Sequence, residues 1–141
     1  MALSVSWLLD VNFILASRWT THPEHRAAKA WLDTVGGFQT CSISELGFVR
    51  ISLSSAYGAI WEDVQESLKQ LHVRKGYQFL ADDVNGTDSP QTSSKDTTDA
   101  HLVALAKRHG LKLATLDGIL AAKPWAAGVA ENPLRRALKS S

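Results

Sequence analysis

A chain of 141 residues, 45% of them apolar, is long enough for one well-buried core and short for two, so a single domain over 1–141 is expected. The formal net charge of +1 lacks the basic excess of a general nucleic-acid binder, so any such contact is local. No apolar run approaches the roughly 18 residues of a membrane span; the first, around Val5 to Ala16, is interrupted by Asp10 and Asn12, and without a basic leader the expectation is a soluble, cytoplasmic protein with no membrane contact.

Val5 to Leu9 is short, apolar and suited to a strand buried on both faces, ended by Asp10. Asn12 to Arg18 allows a helical turn or two. Thr21 is placed to cap a helix from Pro23 to Val35, with Ala27, Ala28, Trp31 and Leu32 in one stripe and Gly36-Gly37 as its stop. Phe38 to Cys41 reads as a second strand; Cys41, the single cysteine, is expected to be a small buried residue. Ser42 or Ser44 then caps a helix bearing Glu45 in its first turn and Leu46, Val49, Arg50 and Leu53 along it. Trp61, Val64, Leu68 and Leu71 repeat at helical spacing within 60–73. A third strand over 77–81 and a polar loop over 82–95 follow. Thr97 or Thr98 caps a helix from Asp99 to His109, stopped by Gly110. Lys112 to Thr115 is a fourth strand ended by Asp117, and 128–131 is either a weak last strand or coil. Strands alternating with helices imply an α/β fold, a three-layer α/β/α sandwich around a mainly parallel sheet of four to five strands.

In such sheets functional groups gather beyond the carboxyl ends of the strands, where Asp10 and Asp117 stand. Glu45 and Asp99 open helices that begin on the same edge, so four carboxylates are expected to converge. Two bare carboxylates about 4 Å apart repel by roughly 4 kcal/mol at an effective dielectric near 20, and a hard divalent cation relieves that repulsion. Mg²⁺ and Mn²⁺ prefer oxygen ligands, and such an ion polarises a phosphate and activates water, which points to phosphodiester hydrolysis. Each acid alone reads more readily as a cap or a helix-dipole partner; the set of four carries the chemistry.

These segments resemble PIN domains, most closely the VapC-type toxins of bacterial toxin–antitoxin pairs. Leu8-Leu9-Asp10-Val11-Asn12 looks like their opening Asp-x-Asn motif, and Ile43 to Arg50 like the helix bearing the second acid. Thr98-Asp99-Ala100-His101-Leu102 and Leu113-Ala114-Thr115-Leu116-Asp117 resemble the third and fourth motifs, with His22-Pro23-x-His25 and Phe79 to Asp83 as further similarities. The resemblance implies a Mg²⁺- or Mn²⁺-dependent endoribonuclease that cuts structured RNA, is silenced by a cognate small antitoxin and forms a homodimer. It also implies that Asp10, Asp99 and Asp117 hold metal, that Glu45 joins them directly or through water, and that Asn12 and Thr115 support them. Two alternatives stand beside it. A phosphatase of the haloacid dehalogenase type needs a second Asp where this chain has Asn12; a non-catalytic binding module would retain the fold without metal.

Other residues read less sharply. Asp96 belongs to the loop or cap preceding Asp99, and His22, His25, His101 and His109 read as helix-end, surface or packing residues. Arg50 is placed either to pair with an acid or to reach a phosphate. Trp7 and Trp31 are expected in the core; Trp19 and Trp61 are candidate partner anchors, Trp61 beside a groove fit for an antitoxin segment, with core burial the favoured reading for Trp61. Lys107, Arg108, His109 and Lys112, with Arg135, Arg136 and Lys139, are the candidate basic patches.

Overall fold

Strand β1 (Trp7–Leu9) is buried at all three positions, as a strand covered on both faces must be. The computed structural model describes residues 6–90 and 92–135, so Val5, Arg136 and Lys139 lie outside the described residues. With β2 (Phe38–Thr40), β3 (Tyr77–Phe79), β4 (Lys112–Ala114) and β5 (Ala130–Glu131), β1 forms a five-stranded sheet in the order β3-β2-β1-β4-β5. All four pairings are parallel, with Leu8 opposite Gln39 and Leu113, and Leu113 opposite Ala130. The segment 128–131 therefore supplies a strand rather than coil.

Alternation along β1 divides the core. Trp7 and Leu9 pack with residues of α1 (Val11–Arg18), α2 (His25–Thr34), α3 (Ser42–Leu53) and α4 (Trp61–His72). Leu8 faces the other way and packs with Leu102, Val103 and Leu105 of α5 (Thr97–Arg108) and Leu120 of the short α6 (Gly118–Ala121). The expected three layers follow from this division.

Helix starts differ from the sequence reading. The segment between α1 and α2 folds into successive turns, with His22 N–H donating to Trp19 O and His25 N–H to His22 O. This delays α2 until His25, so Thr21 caps nothing and Glu24 takes the cap position. Helix α3 is capped by Cys41, whose N–H donates to the Ser44 hydroxyl at 3.1 Å; Ser42 and Ser44 are both inside the helix. A 3₁₀ turn over Ser94–Asp96 starts α5 early and puts Asp96, not Thr97 or Thr98, at its cap position.

The buried residues of α3 are Ser44, Phe48 and Ser52, leaving Leu46 and Leu53 exposed at 64% and 44%. Gly47 sits where a Cβ would come within 2.5 Å of Val11 Cγ2, and this closeness brings α3 against the start of α1. Trp7 and Trp31 meet edge-on in the core, as expected. Trp19 is structural rather than a partner anchor: it stacks on Phe48, and its indole N–H donates to Ser52 Oγ at 2.8 Å.

Candidate active site

Asp10 follows β1 and caps α1, and its fully folded-in position is set by two donors. Val11 N–H donates to Oδ1 at 2.8 Å, and the buried Thr115 hydroxyl donates to Oδ2 at 2.7 Å. The Thr115 oxygen also accepts from the Asn12 amide at 3.3 Å and from Asp117 N–H at 3.1 Å. Asn12 uses its other end to accept from Leu116 N–H at 3.0 Å. One hydroxyl and one amide thereby tie the ends of β1 and β4 together across 105 residues. Asp117 caps α6, with Oδ1 accepting from Ile119 and Leu120 N–H groups. Asp99 comes from the first turn of α5 and has no hydrogen-bond partner among the described residues.

Asp10, Asp99 and Asp117 line one cavity of about 320 Å³, together with Asn12, Arg50 and Lys95. Burial pushes the Asp10 carboxyl up to about 6; the charges of Asp99 and Asp117 push the same way, and the bonds from Thr115 and Val11 oppose them. Asp99 is raised too, by burial first and then by Asp117 and Asp96. The three carboxylates thus feel one another, and no Lys or Arg among the described residues forms an ion pair with them.

Glu45 is not in this cavity. Its Oε2 accepts from Thr40 Oγ1 at 2.5 Å and His72 at 2.7 Å, with the Tyr77 hydroxyl at 3.3 Å. Helical phase explains the separation. The cavity is lined by Ile43, Gly47, Arg50 and Ile51 of α3, one face at i, i+4, i+7 and i+8, and Glu45 stands roughly 200° around the axis from Gly47. Of the four expected acids the structure brings three to this cavity and holds Glu45 outside its lining, and α3 presents a cation, Arg50, there. Burial and the Glu45 charge push the Tyr77 hydroxyl up to about 12, so it remains a donor.

The other candidates are occupied elsewhere. Asp96 accepts from Ser93 Oγ and lies 3.4 Å from Lys123 Nζ. His101 and His109 bind Asp82 and Asp83, and His25 meets the carbonyl of Ala16. Of the basic patch, Arg108 also pairs with Asp83 and Lys112 with Glu131, so internal acids consume much of its charge. These contacts anchor the start of the 82–95 loop to α5. Trp61 is not in the core as favoured from the sequence: it opens α4 and is 49% exposed.

A metal fits the donor chemistry: three carboxylates, no sulfur, and a mutual repulsion that the lining cations Arg50 and Lys95 relieve by no ion pair among the described residues. As the side chains lie, no three His, Cys, Asp or Glu among the described residues are close enough to clasp one ion. Mg²⁺ retains several waters, so direct and water-mediated bonds suit such a cavity.

The same elements recur in known proteins. Residues 7–126 match the PIN domain family, and over 120 residues the chain is 38% identical to Ribonuclease VapC38 of Mycobacterium tuberculosis (strain ATCC 25618 / H37Rv), covering 78% of this chain and 84% of that protein. The chain is a VapC-type PIN domain. It is also 34% identical over 125 residues to Ribonuclease VapC39 of the same strain, covering 81% of this chain and 90% of the relative. Two solved structures share the fold: Mycobacterium tuberculosis VapC20, a Sarcin-Ricin loop cleaving toxin, with a TM-score of 0.61, 12% identity and coverage of 82% and 93%, and FitAB bound to the IR36 DNA fragment, with 0.60, 20%, 91% and 95%. Membership of the PIN family replaces the phosphatase alternative, and Asn12, where that chemistry needs an acid, spends its amide on holding β4 of this PIN domain.

Thr115→Val tests the hub. The isosteric change leaves Asp10, Asn12 and Asp117 N–H each short of a partner, and a melt is expected to show a loss of about 1–3 kcal/mol. Unchanged stability would mean that water replaces the hydroxyl.

Proposed function

We propose that this VapC-type chain is a Mg²⁺- or Mn²⁺-dependent endoribonuclease, the toxin of a type II toxin–antitoxin pair, acting on structured RNA in the cytoplasm. The observation that carries the reading is the shared cavity of Asp10, Asp99 and Asp117, brought from three separate elements, with none of the three in an ion pair among the described residues. These three are the proposed metal-holding and catalytic residues; Asn12 and Thr115 fix them. When bound, the ion supplies Lewis acidity toward the phosphate and an activated water. Arg50, which has no ion pair among the described residues, faces the same cavity and is assigned to a phosphate of the RNA. Glu45 is assigned to joining α3, α4, β2 and β3 through Thr40, His72 and Tyr77. The ribonuclease names of VapC38 and VapC39 support the activity.

A small antitoxin and a second copy of this chain are the proposed protein partners. Large apolar side chains remain exposed on α3 and where α4 begins, namely Leu46, Leu53, Ile60 at 58% and Trp61 at 49%, which suits an interaction surface. None of the described helices is long and apolar enough to cross a membrane.

Inducible expression followed by mapping of RNA 5′ ends tests the activity, with Asp99→Asn expressed in parallel. New ends at reproducible positions in structured RNA, absent from the variant, are expected. An identical pattern from both proteins would leave the binding-module reading standing.

A further inference from the structure

Beside the carboxylate cavity lies a second one of about 570 Å³, lined by His22, Pro23, Glu24, Leu116, Asn132, Leu134 and Arg135 and also by Asn12. Asn12 lines both cavities, and Leu116, held to Asn12 by its N–H at 3.0 Å, directly precedes Asp117. The two cavities therefore adjoin at Asn12. A nucleic acid strand with a phosphate over the three aspartates places a neighbouring nucleotide within reach of this second space.

Its polar groups are committed in a way that fixes what they offer. His22 Nδ1 accepts from Glu24 N–H at 3.0 Å, so the proton of the neutral ring is on Nε2, which has no partner among the described residues. Burial lowers the His22 pKa first of all, which favours that neutral form. Asn132 Oδ1 accepts from Leu134 N–H at 3.0 Å, leaving its NH₂ as a donor. The Glu24 carboxylate and the Arg135 guanidinium have no side-chain partner among the described residues. Two neutral donors, one carboxylate acceptor and one cation thus surround apolar walls of Pro23, Leu116 and Leu134, and the volume is in the range of ligand sites.

That set matches a guanine nucleotide. Guanine presents N1–H and N2–H side by side to a carboxylate, with O6 and N7 as acceptors for neutral donors, whereas adenine, cytosine and uracil lack this paired donor edge. We propose that the His22–Arg135 cavity is a nucleotide subsite that reads an unstacked guanine next to the cleaved bond, Glu24 taking the N1–N2 edge, His22 and Asn132 the acceptors, and Arg135 a phosphate. It rests on the ribonuclease reading, and it gives the His22-Pro23 motif a role. Reading a splayed-out base is how sequence-specific contacts to RNA are usually made.

Nuclear magnetic resonance on the ¹⁵N-labelled full chain tests this, because mononucleotides bind without being cut. GMP is expected to shift the His22 ring and Asn132 side-chain signals, and AMP to bind about tenfold more weakly. Glu24→Gln erases the difference between GMP and AMP. Arg135→Ala weakens GMP while leaving guanosine unchanged. Glu24 and Arg135 are both exposed, so neither substitution endangers the fold. Equal shifts with AMP, no response at about 10 mM nucleotide, or a GMP preference that survives Glu24→Gln would overturn the subsite. Mg²⁺ added to the same samples reports separately at Asp10, Asp99 and Asp117. A magnesium response without a nucleotide response sinks the subsite alone, and a missing magnesium response sinks the nuclease reading.

Discussion

Asp99→Asn is expected to lower RNA cleavage by about a thousandfold while leaving the melting temperature within a few degrees. Asp99 makes no hydrogen bond among the described residues and stands only half-buried at the start of α5, so removing its charge breaks no packing. The amide even relieves repulsion with Asp117 and Asp96. What is lost is one anionic oxygen donor, and Lewis-acid stabilisation worth several kcal/mol, near 4, corresponds to that factor in rate. Single-turnover cleavage of a defined RNA, paired with a thermal melt, measures both. Full activity in a folded variant would remove Asp99 from the chemistry.

The second large effect concerns stability without metal. Asp10 titrates near 6 in the folded chain against 3.8 when unfolded, so between those values the native state holds the extra proton and stability falls as pH rises. The loss is complete above about pH 6 and amounts to about 3 kcal/mol at most. Asp99 is shifted in the same direction. Metal-free protein is therefore expected to melt several degrees lower at pH 7.5 than the pH dependence of Asp10→Asn predicts, because the variant lacks this proton. Mg²⁺ at a hundredfold over its Kd adds back about 2.7 kcal/mol at pH 7.5, and little near pH 4.5, where Asp10 is protonated. Parallel melting profiles for the wild type and Asp10→Asn would show that the buried carboxylate carries no such cost.

Both effects rest on side chains whose position could be read from the sequence. Asp10 and Asp117 were legible because each stands just past a short, largely apolar run, Asp10 directly after β1 and Asp117 three residues after the end of β4, where each caps the helix that follows. Asp99 was legible from the helical pattern after the polar loop. Glu45 was placed in the right turn of the right helix, yet the direction it faces depends on which residues of α3 enter the core. Phe48, Ser44 and Ser52 do so, two of them polar, and the more hydrophobic Leu46 and Leu53 face outward. A glycine inside a helix was the available signal: Gly47 marks the face that meets Val11, and Arg50 follows on that face. Of the three partners of Glu45 only Thr40 is near in sequence; His72 and Tyr77 lie 27 and 32 residues away, and Trp19 finds Ser52 at a separation of 33, so local pattern had no access to these. Thr21 failed as a cap because the turn beginning at Trp19 takes His22 N–H, Pro23 has no N–H, and Glu24 N–H goes to His22 Nδ1 instead.

The choice between three acids and four can be seen directly with manganese. In crystals of the wild-type chain grown with Mn²⁺, the strongest anomalous peak is expected among Asp10, Asp99 and Asp117, with oxygen contacts near about 2.1 Å and Glu45 still bound to Thr40 and His72. A peak at Glu45 and His72, or none among the three aspartates in protein that cuts RNA, would contradict it.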